Sequence, residues 1–234
     1  MGAIIKREIG AYFTSAIAYV VMAVFFLFSG YFFWNLLYYD TTSITYYVFS
    51  QMFMIVLFIL PILTMRLFSE EKKQRTDQIL LTSPVSVWKI VLGKFIAADI
   101  IFLCCMAIYI PMVLVVNYFA APNWGMIVCN LIGMFLLASA IIAIGIFISS
   151  LTESQIVAAV AGIATALFIS MMDTFSSAIQ IEFIQNLINS LSFMTRYQDF
   201  YSGLLSLADV VFYLSVVGLF LFFTTRVIDR KRYS

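Results

Sequence analysis

Six long apolar runs divide the chain, at roughly residues 16–37, 46–65, 95–119, 126–148, 156–172 and 210–227. An α-helix needs ~20 apolar residues to cross ~30 Å of hydrocarbon, so each run predicts a membrane-spanning helix, the fifth being the shortest. The first run is too long for a signal-peptide core and no small-residue cleavage site follows it. Pro61 predicts a kink at the inner end of the second span, and the third contains Asp99 and Pro111. Short polar turns lie at 38–45, 120–125 and 149–155, the last with Glu153 at its tip.

Two stretches alternate rather than run. In residues 1–15, helical spacing sets Ile4, Ile5, Ile9, Tyr12 and Phe13 opposite Lys6, Arg7 and Glu8, which predicts a helix lying on the membrane surface. In 173–209, Ile179, Ile181, Phe183, Ile184, Leu187, Ile188, Leu191 and Phe193 interleave with Gln180, Glu182, Gln185, Asn186 and Asn189. That pattern is amphipathic helix, with Tyr197, Phe200 and Tyr201 as an interfacial anchor.

Residues 66–94 form the one long charged segment, RLFSEEKKQRTDQILLTSPVSVWKIVLGK. Ser69 reads as an N-cap that places Glu70 and Glu71 in a first helical turn, where the macrodipole favours acids. Lys72, Lys73 and Arg75 follow on a polar face, and Ile79, Leu80 and Leu81 make an apolar patch. Ser83-Pro84 predicts a break and a restart. A second helix, Val85 to Gly93, mixes Val85, Trp88, Val91 and Leu92 with Lys89 and is expected at the interface. The competing reading is a solvated loop whose charges only fix topology.

Composition agrees with the runs: 64% of the 234 residues are apolar and 11% charged, against about half and a quarter in soluble domains. The chain therefore reads as an all-α integral membrane protein. Twelve of its thirteen Lys and Arg residues fall on one side of a six-span topology, and Arg196 alone on the other. The positive-inside rule then places both termini and residues 66–94 in the cytoplasm of a multi-pass inner-membrane protein, with 173–209 outside. Basic residues grouped by topology give no nucleic-acid face.

Candidate chemistry is sparse. Without histidine, and without paired Cys or Asp on one helix face, no metal set is visible. Cys104, Cys105 and Cys129 sit in apolar runs as small fillers. No G-x-x-x-x-G-K-[ST] stretch is present, so the chain lacks that route to a nucleotide. An intramembrane enzyme lacks a catalytic constellation. Asp99 has two readings, a place on a transport pathway or interfacial pairing with a basic residue. Ala158, Gly162 and Ala166 recur every four residues in the fifth span, and Ser139 and Ala143 in the fourth. Such spacing lets helix backbones approach closely, either within one bundle or at a dimer seam.

The segment PILTMRLFSEEKKQRTDQILLTSPVSVWKIVLGKF resembles the first cytoplasmic loop of ABC-2-type transporter permeases. IGIFISSLTESQIVAA and RYQDFYSGLLSLADVVFYL agree with it, and the resemblance is closest to the gliding-motility-type branch, over nearly the whole chain. It implies that 1–234 is one transmembrane domain of six spans, with an N-terminal surface helix, a cytoplasmic coupling helix and short re-entrant helices in the outer segment. Glu70, Glu71, Lys72, Thr76, Leu80, Leu81 and Pro84 match the loop pattern, with Lys73 and Arg75 in the same coupling helix. Arg75 stands where family members often have Gly. The implied partners are two cytoplasmic ATPase subunits, which bind the ATP and Mg that this chain does not, and a second permease chain, identical or related. An extracytoplasmic partner over the outer segment is a further expectation. The implied function is ATP-driven export across the cytoplasmic membrane. Its alternative is a non-translocating scaffold through which an ATPase remodels an envelope partner.

Overall fold

A computed structural model describes residues 1–39, 43–74, 86–119, 122–178 and 182–232. These are helical, with no strand among them. A surface helix, α1 (Gly2–Thr14), leads into α2 (Ala16–Tyr38). A π-helical turn, Thr45–Phe49, opens α3 (Ser50–Thr64), and α4 (Arg66–Lys73) follows after Met65 alone. Next come α5 (Val87–Met106), α6 (Tyr109–Phe119), α7 (Trp124–Leu151) and α8 (Gln155–Ala178). Two short helices, α9 (Glu182–Leu191) and α10 (Phe193–Tyr201), precede α11 (Leu207–Arg232).

Among the described residues, six helical stretches are long and apolar enough to span a bilayer: Ala16–Tyr38, Tyr47–Lys73, Val87–Phe119, Trp124–Leu151, Gln155–Phe175 and Leu207–Arg230. The chain is an all-α, multi-pass membrane protein. The second and fourth stretches are the most buried, and the first, fifth and sixth the least. Thus α3 and α7 form the centre, with α2, α8 and α11 presenting Leu27, Trp34, Ile156, Val160, Phe168 and Val211 outward. Exposed Trp34, Tyr38, Tyr118 and Trp124 ring one end, as expected of aromatic side chains at a membrane–water boundary. The other end carries α4 and is called the arm end below.

Small residues set the spacing of the centre. A Cβ on Gly162 of α8 would lie 2.7 Å from the Pro61 Cβ of α3. Ala158 and Ala166, one turn to either side, are buried as well. The fifth-span stripe therefore packs within this chain against the second span. On α7, a Cβ at Gly145 would collide with the Thr64 side chain, and Pro61 and Thr64 lie three residues apart on one face of α3, so α7 and α8 both approach that face at backbone distance.

Four local expectations are corrected. Ser69 is not an N-cap: α4 starts at Arg66, and the Ser69 hydroxyl donates back to the Met65 carbonyl within the helix. The helix begins early because Leu67 and Phe68 continue the buried face of the second span. Glu70 and Glu71 accordingly lie beyond the first turn, and Lys72 and Lys73 occupy the last one, where the macrodipole favours cations. Second, the interfacial helix ending at Gly93 does not exist as a separate piece, because α5 runs unbroken from Val87 to Met106. Third, the fifth span outruns its apolar stretch, at 21 residues over Gln155–Phe175, while remaining the shortest of the six. Fourth, the third span breaks at Ala107–Ile108. Pro111 lacks the N–H that would reach the Ala107 carbonyl, which accepts from Ile110 N at 3.2 Å instead.

The described part of the amphipathic stretch before the last span folds as α9 and α10. Phe200 of α10 is fully buried, and a Cβ on Gly133 would come within 2.5 Å of it. Gly133 lies nine residues into α7, ~14 Å along the helix at ~1.5 Å per residue, so α10 descends among the spans. The Tyr197 hydroxyl donates to the Phe49 carbonyl at 2.9 Å, joining α10 to the π turn. Arg196 Nη1 lies 2.7 Å from Asp209 Oδ1 and ties α10 to the start of α11.

Candidate functional site

At the arm end, charge that looks surface-exposed in the sequence is drawn inside. Lys94 of α5 is fully buried, with Phe68 beneath its ammonium at 5.0 Å. Its Nζ lies 2.9 Å from Glu71 Oε1 of α4 and 3.2 Å from Glu8 Oε1 of α1, and donates to the Leu67 carbonyl at 2.7 Å. One ammonium with three donors thus joins three helices. Arg7 spans the same two acids, 2.6 Å from Glu8 Oε1 and 2.7 Å from Glu71 Oε1. Gly93 lets α1 come this close, since a Cβ there would meet Ile4 Cγ2 at 2.9 Å.

A second layer fixes the root of the arm. Arg66 Nε pairs with Glu70 Oε2 at 3.0 Å, and its Nη1 donates to the Ser15 hydroxyl. The Arg66 guanidinium lies over the Tyr12 ring at 5.4 Å. Burial, with Glu8 adding, pushes the Tyr12 phenol far above its ordinary range. It therefore remains a donor, to the Leu63 carbonyl at 3.1 Å. Arg7, Arg66 and Lys94 against Glu8, Glu70 and Glu71 leave the cluster electrically balanced.

The first turn of any helix has backbone N–H groups with no partner inside it. Here another helix supplies one. Ser149 Oγ of α7 accepts from Phe68 N and Ser69 N, both at 3.1 Å, and donates to the Met65 carbonyl at 2.9 Å. The next residue, Ser150, gives its carbonyl to Lys72 Nζ. The arm is therefore capped and pinned by the end of the fourth span.

Burial would raise the Glu8 carboxyl, but Lys94 and Arg7 outweigh it, so the group lies below its ordinary range and stays ionised. A balanced cluster of this kind can transmit displacement, because separating any pair strands charge in a poorly solvated place. Among the described residues no group of His, Cys, Asp or Glu could hold a metal ion.

The expected coupling residues divide three ways. Glu70, Glu71 and Lys72 face inward, bonded within the chain, whereas Lys73 is exposed at the tip of the arm. Arg75, Thr76, Leu80, Leu81 and Pro84 lie outside the described residues. Asp99 is not paired with a basic residue at the interface; its Oδ1 accepts from Ser139 Oγ at 3.2 Å. The reason is register. α5 turns Asp99 toward α7, while Lys94, the nearest cation on the same helix, is committed to Glu8 and Glu71.

Sequence reasoning passed over Arg7, Glu8, Ser15, Lys94, Ser149 and Ser150. A signal existed for two of them: adjacent serines closing a 28-residue helix that contains no charged side chain. For Glu8 the signal was an acid sharing a helix face with apolar Tyr12.

Comparison with curated proteins returns no match. Among protein families, the one described as ABC-2 family transporter protein matches residues 33–225, which include α4, Lys94 and Ser149. A match over most of the chain, to a family of membrane permeases and on a bundle of six spans, settles the assignment. The chain belongs to the ABC-2 family of transporter proteins.

Proposed function

We propose that this chain is the force-receiving permease of an ATP-driven exporter of the cytoplasmic membrane, of the gliding-motility-type branch. The whole chain works as one transmembrane domain. Two cytoplasmic ATPase subunits bind ATP and Mg, and a second permease chain, identical or related, completes the path through the membrane. Their closure presses on Lys73 and on residues 75–85, the stretch that includes Arg75, Thr76, Leu80, Leu81 and Pro84. The arm end lies in the cytoplasm, with both termini; the clustering of twelve of thirteen basic residues there supports this orientation. An extracytoplasmic partner would meet α9.

The observation that carries the reading is the attachment of the arm. Its inner face is joined by Lys94 to the third span, by Glu8 and Arg7 to the surface helix, and by Ser149 to the fourth span. Only Met65 separates it from α3. A push on its exposed tip therefore displaces the second and third spans together, and the coupled motion of those spans opens the path.

Gentle detergent extraction followed by mass measurement of the intact assembly tests this. Two copies of a nucleotide-binding subunit with two permease chains, and ATP hydrolysis by that assembly, are expected. A permease that purifies without any ATPase, from cells in which it is functional, contradicts the proposal. Solute uptake into reconstituted vesicles separates export from the scaffold reading.

A further inference from the structure

Asp99 and Ser139 meet near the middle of the fourth span's helix, α7. α7 extends 28 residues from Trp124 to Leu151, and Ser139 stands ~22 Å from its first residue and ~18 Å from its last, at ~1.5 Å per residue. Asp99, bonded to it at 3.2 Å, lies at the same depth and is 8% exposed. The hydroxyl is the only hydrogen-bond partner found for it among the described residues.

Among the described side chains, the surrounding helices supply no countercharge to Asp99. On α5 itself, Lys89 is exposed at the arm end and Lys94 is held by Glu8 and Glu71. On α1, Arg7 and Glu8 belong to that same cluster, and Lys6 is exposed. α2 and α7 contain no charged side chain. On α11, Asp209 pairs with Arg196 at the far end, and Arg226, Asp229 and Arg230 lie in its last turns at the arm end. The other buried titratable groups on these helices and on α6, Tyr12, Cys105, Tyr109, Cys129 and Tyr213, supply no positive charge.

A bare carboxylate in hydrocarbon is strongly disfavoured, and one hydroxyl offsets little of that. The deficit is one positive charge. A metal cation needs about six oxygen ligands, and this site offers one carboxyl and one hydroxyl. A proton needs no further ligands, and it turns the carboxyl into a donor as well as an acceptor.

We propose that Asp99 and Ser139 form a proton-binding site inside the helix bundle, at the seam between the third and fourth spans. The proton stays while α5 and α7 are in contact, and leaves to water when the seam opens. Asp99 follows Lys94 by five residues on one helix, ~7.5 Å, so displacement of the arm reaches this seam; that consequence alone rests on the force-transfer reading.

Infrared difference spectra of the purified chain at neutral pH, wild type minus Asp99→Asn, test the site without any ATPase. A C=O stretch of a neutral carboxyl, missing in the variant, is expected. Ser139→Ala should shift its frequency by removing the hydrogen bond. Carbodiimide should modify Asp99 in the wild-type chain under the same conditions, read by peptide mass, which covers the case of a variant that does not fold. A carboxylate signal in place of the neutral one overturns the proposal, as does a signal that follows sodium or potassium concentration. A band unmoved in Ser139→Ala overturns the pairing. Failure of the ATPase to co-purify would leave all of these readouts intact.

Discussion

Lys94 Nζ and Glu71 Oε1 lie 2.9 Å apart with the lysine side chain 1% exposed, so the root of the third span and the arm beyond the second are held by one buried ion pair. Such a pair is weak evidence for stability, since desolvation offsets much of the attraction. Its value here is positional. It makes the relative placement of two spans depend on a contact at the surface where a partner would push.

Lys94→Met keeps the length of the side chain, removes the buried ammonium and leaves Arg7 to face Glu8 and Glu71. Removing one partner of a buried pair costs about 3–5 kcal/mol, so thermal stability in detergent should fall sharply. Adding Glu8→Gln and Glu71→Gln should restore most of the loss while leaving ATP hydrolysis poorly coupled. If the single and triple variants melt alike, the cluster is not the unit described.

Ser149→Ala should be far more harmful than Ser150→Ala. The Ser149 hydroxyl serves three backbone groups of the arm, whereas the Ser150 hydroxyl only donates to Phe147 of its own helix at 2.7 Å. Leaving buried N–H groups without partners costs about 1–3 kcal/mol each. Hydrogen exchange over Arg66–Lys73 should accelerate in the first variant and stay at the wild-type rate in the second. Equal rates would remove Ser149 from the account.

The docking of α1 should depend on pH in one direction only. Glu8 is held below its ordinary range in the folded state by Lys94 and Arg7, against the opposing effect of burial. A depressed acid contributes stability that is fully present above its unfolded value, ~4.3 for Glu, and is lost as pH falls through the folded value. Wild type and Glu8→Gln should therefore differ in melting temperature by a constant amount from pH 8 down to about 5, and converge only below. Convergence at neutral pH would contradict the pairing.

Tyr197→Phe removes one hydroxyl, donated to Phe49 at 2.9 Å, and nothing of the ring packing against Phe53. The expected loss is about 0.5–1.5 kcal/mol, confined to faster hydrogen exchange in α10 and the Thr45–Phe49 turn. Gly133→Val should do more, because its side chain would occupy the place of Phe200. Its effect should appear as displacement of α10, measured by cross-linking between Met194 and α8.

The spans were legible because hydropathy in lipid acts over whole helices, and the ends at Ala16, Tyr38 and Phe119 follow the apolar runs closely. Ser69 misled because a serine before two acids has the pattern of a local cap. The cap came instead from Ser149, eighty residues away, and a hydroxyl borrowed from another helix leaves no local trace. Lys94 was counted as a topology charge, since a lone lysine after Gly93 gives no hint of Glu8 and Glu71 closing around it. For Asp99 the sequence left two readings open, pathway or interfacial pairing, because position along the chain does not say which helix it faces. Its depth is set by the register of α7, which only packing reveals.

The central claim is that the tip of the arm meets a nucleotide-binding subunit. A photo-crosslinking amino acid in place of Lys73, exposed at that tip, tests it directly in intact cells, with Tyr118 at the opposite end as control. An adduct between position 73 and an ATP-binding protein, changing in yield with nucleotide state and absent from position 118, is the predicted result. A cysteine at position 73 that reacts with a membrane-impermeant reagent added outside the cell, with no such adduct, would contradict it.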